Sequence, residues 1–335
     1  MMQKKSLWTV LVVVLLMVLA MNGAAADEEA FKSRNYRYRI LEDGTAEITK
    51  YSGGDEVLKI PETLDGKTVT GIGDYAFSER RSLTSIELPD GVMSMGDYAF
   101  YQCDALESIV LPDSMVSMGT NPFLDCESLK NIRVSPEQPV FAVIDGVLFN
   151  KAEKSLICYP AGKQEEAYEV PQGIQQIGDS AFWHCASLTS IKLPDSVTSI
   201  GEGAFFSCRS LTSIKLPDSV TSIGDGAFSS CSALTSIELP DGLTSIGDST
   251  FSRCSTLTSI ELPDSVTNIG DRVFWYCSAL TSIELPESVT SMGIDVFKRC
   301  DNLTMTVQRD SYAVQYAKDN GLNYTYPDAN DWLNN

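Results

Sequence analysis

A single histidine, nine cysteines and a dense set of carboxylates and serines are the side chains here that could do chemistry. One imidazole cannot build a multi-histidine metal centre, which leaves His184 as the sole acid–base candidate near neutral pH. Its slot holds Ser207, Ser230 and Arg253 at equivalent places further along, so it is expected to face solvent. No serine lies in a G-x-S-x-G setting, and there is no phosphate loop, dinucleotide fingerprint or H-E-x-x-H pair. Carboxylates are multiplied along the chain without any pair being singled out. The sequence is read as non-catalytic.

The cysteines invite metal or disulfide chemistry, and their spacing argues against both. Cys103, Cys126, Cys185, Cys208, Cys231, Cys254, Cys277 and Cys300 occupy one column of a repeat, and Cys158 stands apart. Equivalent positions in stacked coils carry parallel Cα–Cβ vectors about 4.8 Å apart, wider than the usual disulfide range. A straight ladder supplies no tetrahedral site, and no C-x-x-C is present. The column is expected to be reduced and buried, packing as small hydrophobes. No cofactor and no metal are implied.

Those columns exist because the chain repeats. Leu188, Leu211, Leu234, Leu257, Leu280 and Leu303 are 23 residues apart, as are Leu83, Leu106 and Leu129. Phenylalanine keeps the same interval at Phe77, Phe100, Phe123, Phe182, Phe205, Phe228, Phe251, Phe274 and Phe297, giving nine units. The unit reads L-T-S-I-x-L-P-D-x-V-T-S-I-G-D-x-A-F-x-x-C-x-x. L-x-x-I-x-L predicts a short strand with Ile and Leu inward, ended by proline. V-T-S-I-G predicts a second extended segment. Gly-Asp then turns the chain, with Asp225 or Asp248 placed to cap a helical or 3₁₀ turn through A-F. One coil cannot bury its own apolar face, whereas stacked neighbours can. The expected fold is a solenoid of short parallel strands, a rod or shallow arc about 45 Å long.

Two places break the interval. Phe123 to Phe182 spans 59 residues, 36 more than one unit. The extra segment, about 135–170, carries two apolar runs around Lys151–Lys154 and is read as a hairpin projecting from the solenoid. The first unit is five residues longer, with a turn at Asp65-Gly66. Nine repeats are assigned to 58–305, with a cap at 27–57 built on a hairpin about Asp43-Gly44. A second cap at 306–335 has a short helix opened by Asp310 or Ser311 and stopped by Asn320-Gly321.

Residues 1–26 read as a secretory signal: Lys4 and Lys5, an apolar run Leu7–Met21, then Ala24-Ala25-Ala26. The run is short for a membrane span, and 326–335 reads as no anchoring tail, so a secreted chain without stable membrane insertion is expected. Removing 1–26 takes away two lysines and moves the formal charge from −20 to −22. Such a surface repels nucleic acid and anionic membranes, and suits a basic protein patch or divalent cations, or simply solubility.

The unit L-T-S-I-x-L-P-[DE]-[GS]-V-T-S-I-G-[DE]-x-A-F-x-x-C resembles the BspA-like leucine-rich repeats of bacterial surface and secreted proteins. The entry I-L-E-D-G-T-A-E-I-T, the insert I-D-G-V-L-F-N-K…L-I-C-Y-P-A-G and the exit S-Y-A-V-Q-Y-A-K-D-N-G are similar to pieces of the same family, and the likeness covers nearly all of 31–326. It implies a leucine-rich-repeat right-handed coil working as an extracellular interaction module, in adhesion to host proteins or other bacteria. A partner is then a host extracellular-matrix or bacterial surface protein.

In repeat proteins, near-constant columns carry the fold and variable columns carry recognition. The outward strand position varies as Glu87, Val110, Arg133, Lys192, Lys215, Glu238, Glu261 and Glu284. Its three glutamates repel one another, which a basic ligand would relieve, as would splaying and screening by salt. A second variable column after the phenylalanine holds Tyr101, Trp183, Phe206, Trp275 and Tyr276 where other copies have Ser229 or Ser252. Aromatics there suit a protein interface, a carbohydrate, or packing on the next coil. Acidic columns, Asp195 to Glu287 and Asp179 to Asp271, could in principle hold calcium, but capping alone accounts for the second. Protein binding through the strand face is the leading reading. A passive spacer or matrix element and carbohydrate binding through the aromatic column are the alternatives.

Overall fold

Most L-x-x-I-x-L runs form a strand of about three residues, such as Ser190–Lys192, Ser213–Lys215 and Ser236–Glu238, with the central isoleucine buried and both neighbours exposed. The run at Leu257–Leu262 keeps a single bridge position at Glu261. Each V-T-S-I-G run adds a second strand two residues long, such as Ser199–Ile200 and Ser222–Ile223. Strands pair parallel and in register with their counterparts one coil away: Ile191 faces Ile214, and Ile200 faces Ile223. The computed structural model describes residues 30–328, so the signal segment at 1–26 lies outside the described residues. What it describes is a β-solenoid with two narrow parallel sheets and a third side made of turns.

The third side differs from the helical turn expected for A-F. Among the described residues the helix is Tyr312–Asp319, and the A-F segments close as hydrogen-bonded turns. Left-handed residues bracket each one: Gly203 (φ 56°) and Ser207 (φ 60°), then Gly226 (φ 60°) and Ser230 (φ 63°). The Phe205 and Ser207 N–H groups donate to the Ala227 and Ser229 carbonyls of the next coil, each at 2.8 Å. The N–H groups that alternate with them stay in their own coil as i→i−3 turns, Phe206 donating to the Gly203 carbonyl at 2.9 Å and Cys208 to Phe205 at 3.2 Å. The bonding therefore alternates, and no continuous helix ladder forms.

The phenylalanines form the spine. Their rings are buried and face-stacked, with centroids 5.1 Å apart at Phe182–Phe205 and Phe205–Phe228, and 5.7 Å at Phe228–Phe251. Two tyrosines fill the same slot where the interval breaks, so the rings run from Tyr51 to Phe123 and from Tyr159 to Phe297. The buried residues fall into two clusters that follow these two runs.

The remaining near-constant columns tie one coil to the next. Cysteine thiols donate to the phenylalanine carbonyl of the preceding coil, as in Cys208 to Phe182 and Cys231 to Phe205, both 3.1 Å. All nine cysteines are buried and unpaired, and the thiols of the repeat column are hydrogen-bond donors as well as small hydrophobes. Asp225 Oδ1 accepts from the Asp248 N–H at 2.8 Å, and Asp248 Oδ1 from Asp271 at 2.7 Å. The aspartate therefore caps the adjacent coil rather than its own. That carboxylate oxygen lies where a Cβ at Gly247 or Gly270 would project, which explains the glycine before each aspartate. Threonine hydroxyls repeat the device, Thr212 donating to the Thr189 carbonyl and Thr235 to Thr212.

The segment at 135–170 does not project. Phe141–Ile144, Val147–Asn150 and Ser155–Cys158 form an antiparallel meander, and Ser155–Cys158 then pairs parallel with Gln176–Ile177. Val147, Leu148, Phe149, Leu156, Cys158 and Tyr159 are buried. Ala167–Glu169 pairs parallel with Ser190–Lys192, so the segment contains a further coil of the solenoid. The reason is visible in the numbering: Tyr159 stands 23 residues before Phe182, and tyrosine in place of phenylalanine hid the unit. The true excess is 13 residues.

Antiparallel strands Tyr36–Ile40 and Ala46–Tyr51 cover one end, and Ala46–Tyr51 joins the second sheet through Lys67–Ile72. At the other end Tyr312–Asp319 packs Ala313, Val314, Tyr316 and Ala317 inward, and Asn323–Thr325 adds a parallel strand to Thr304–Val307. Ser311 holds the N-cap position, but its hydroxyl makes no capping bond.

Candidate functional site

The strand-face column forms a continuous ladder of exposed charge. Lys192 lies opposite Lys215, Lys215 opposite Glu238, and bridges continue through Glu261 to Glu284. Sequence reading missed the member that opens this run. Glu169, hidden in the insert, lies opposite Lys192 and pairs with its Nζ at 2.6 Å. The pair is more than half exposed on both sides, so it contributes little to stability and leaves the column open to solvent.

The aromatic column sits on the turn side. Trp183 and Phe206 are half-buried and stack with centroids 4.0 Å apart and planes 15° from parallel. Gly203, left-handed at φ 56°, both turns the chain and clears room for the indole, because a Cβ there would press on the Trp183 ring. Trp275 lies three coils further along, with the Arg253 guanidinium 4.9 Å from its ring centre. Between these aromatics the same slots hold Ser229 and Ser252, and a groove of about 850 Å³ runs through the depression they leave. Trp183, Phe206 and Trp275 line it. Tyr276 stands beside Trp275 at the edge of a smaller recess of about 340 Å³.

Three further tyrosines complete the groove: Tyr75, Tyr98 and Tyr101 from the coils before the insert. Tyr101 was legible in the sequence as a member of the column. Tyr75 and Tyr98 were missed, although they recur 23 residues apart two places before the phenylalanine. Burial raises the Tyr98 hydroxyl above its usual value, and Tyr75, Asp97, Glu202 and Asp179 add to the rise. Asp179, Glu202, Asp225 and Asp248 also line the groove and are exposed. Among the described residues none of these four carboxylates has an ion-pair partner.

The coils on either side of the insert are joined at this groove. Asp125 Oδ1 lies 2.7 Å from His184 Nδ1 and accepts from the Trp183 indole N–H at 2.8 Å. The Asn121 amide donates to the Ser180 carbonyl at 2.7 Å. Burial alone would raise the Asp125 carboxyl, but hydrogen bonds from His184, Trp183 and Gln102 outweigh it and hold it below the usual range. His184, expected to face solvent, is therefore a structural partner at a coil junction. Its slot tolerates Ser207 and Arg253 because those coils have no Asp125 opposite. Among the described residues no cluster of three His, Cys, Asp or Glu side chains is placed to hold a metal ion.

A family model for the BspA type leucine-rich repeat region matches residues 58–157 and 166–308 in six copies. The chain belongs to the BspA-type leucine-rich-repeat family. The break in the match falls at Cys158–Glu165, within the insert. Among solved structures, the chain is similar to the pneumococcal vaccine antigen PcpA, with a TM-score of 0.61 and 18% identity over 90% of this chain and 99% of that one. It is also similar to a leucine-rich repeat protein from Eubacterium ventriosum, with a TM-score of 0.56 and 21% identity over 82% and 95%. A leucine-rich cell surface protein from Faecalibacterium prausnitzii is 24% identical over 88% and 98%, with a TM-score of 0.46. The first two likenesses establish the solenoid fold. A search of curated proteins found no match.

Proposed function

We propose that this BspA-type protein is a secreted, non-catalytic scaffold that binds a protein partner, in adhesion to host extracellular-matrix or bacterial surface proteins. The observation that carries the reading is where the variation falls. Leucine, isoleucine, phenylalanine, cysteine, glycine, aspartate and threonine columns are each occupied by the core or by a bond to the adjacent coil. Side chains that differ between near-identical coils fall on the exposed strand-face column and on the turn side around the aromatics, where the positions flanking the phenylalanine and cysteine also change. Variation is tolerated where a side chain reaches a ligand without disturbing a neighbour. A vaccine antigen among the similar structures agrees with an extracellular role. The apolar run at Leu7–Met21 supports export.

The test is binding of the purified chain to a panel of extracellular-matrix and bacterial surface proteins. Saturable binding to a discrete member is expected. Absence of saturable binding across the panel would favour a passive spacer, and binding to glycans alone would move the function to the aromatic column as a carbohydrate site.

A further inference from the structure

The turn-side groove has a composition that specifies its occupant more closely than the strand face does. It combines aromatic surfaces at both ends, a floor of Gly226, Ser229, Ser249 and Ser252, and four exposed carboxylates along one stretch. Asp179 and Asp225 each use one oxygen on the N–H of the next coil, and Glu202 contributes a carboxylate with no hydrogen-bond partner among the described residues. These groups are one coil apart, so four of them span about 14 Å. That is the length of roughly four to five residues of extended chain, whose same-side residues recur every 6.6 Å or so.

We propose that the groove is the docking site for an extended basic segment of a protein partner. Its lysine or arginine side chains meet Asp179, Glu202, Asp225 and Asp248, and its apolar or aromatic residues rest against Trp183–Phe206 and Trp275. The inference rests on the protein-binding reading above and names the partner class. Charge is the deciding feature: four carboxylates without a cation partner stand along one wall of a molecule of formal charge −20. An anionic ligand is repelled over this stretch. At the far end Arg253 and Arg272 line the groove, so the complementary segment is basic over Asp179–Asp248 and neutral or acidic beyond it. Trp183 stacks on Phe206 and Trp275 lies against the Arg253 guanidinium, so the aromatic surface at either end of the groove is held in place by a neighbouring side chain.

The test titrates the full chain with hexalysine, hexaglutamate and a neutral chito-oligosaccharide, read by calorimetry and tryptophan fluorescence. Two triple variants remove equal charge from different faces: Glu202→Gln with Asp225→Asn and Asp248→Asn, and Glu238→Gln with Glu261→Gln and Glu284→Gln. The amide replacements in the groove keep an oxygen to accept the inter-coil N–H, and Glu202→Gln alone serves if the triple melts early. Hexalysine is expected to bind and change the tryptophan signal. The groove triple should weaken it about tenfold or more, Glu202→Gln alone about threefold, and the strand-face triple less than twofold. Equal losses from the two triples would reduce the effect to bulk charge and overturn the site. Binding of the oligosaccharide or hexaglutamate in place of hexalysine would overturn the partner class. Because no natural partner enters this titration, a failed panel screen leaves its result standing, and a failed titration leaves the strand face open as the binding surface.

Discussion

At the scale of single residues, the thiol column shows how one small side chain serves two ends. Each sulfur fills the core, and in seven coils the S–H also bonds a carbonyl of the coil before, at 3.0 to 3.2 Å. Burial pushes the Cys158 thiol up to about 12 and the Cys300 thiol to about 11. The folded protein should resist alkylation at pH 8, with Cys300, the least buried of the nine, reacting first, and denaturation should release nine titratable thiols. Fewer than nine would mean disulfides and a different ladder. Asp125 gives a second prediction at this scale. Its folded pKa is depressed, so its contribution is complete above the unfolded carboxylate value of about 3.9 and fades as pH falls through the folded one. Asp125→Ala should cost about 1–3 kcal/mol at pH 7 in denaturant melts, and that gap should close toward pH 2. A gap independent of pH would show that the carboxylate is not what joins the coils.

At the scale of elements, the insert is where sequence reading went furthest astray. Repeat arithmetic assumed phenylalanine in the ring slot, so Tyr159 passed unnoticed and a whole coil was folded into a projecting hairpin. The repeat columns were plain in one dimension because 23-residue spacing survives inspection. Bonds between coils were not, since Asp225 to Asp248 and Cys231 to Phe205 involve partners that sequence separates by a full turn. A continuous helical turn at A-F failed for the same reason: the short i→i−3 bonds form, but every second N–H is claimed by the next coil. Deleting 135–170 restores the interval on paper while removing Tyr159 from its stack on Phe182 and stripping Leu148, Phe149 and Leu156 from the core. The deletion variant should lose its cooperative melt or be insoluble. A soluble variant with the parent melting temperature would contradict the buried insert.

At the scale of the whole molecule, the fold is redundant and the recognition surface is not. Stacked coils share the work of stability with their neighbours, so a central ring should matter more than a turn-side one. Phe228→Ala, which breaks the ring stack in a closed core, should cost about 3–5 kcal/mol, and Phe206→Ala clearly less because Phe206 touches Trp183 from a half-buried position. Recognition was legible only as columns that vary; the groove, its acidic wall and the tyrosines from the other side of the insert needed three dimensions to assemble. A recognition role for this protein requires that those exposed variable columns carry binding. Partner affinity should be measured for the parent chain and for the strand-face and groove triple variants, at low and at raised salt. At least one triple should lose affinity, with an unchanged melting temperature and with binding that weakens as salt rises. Undiminished affinity in both triples, at either salt concentration, would contradict it.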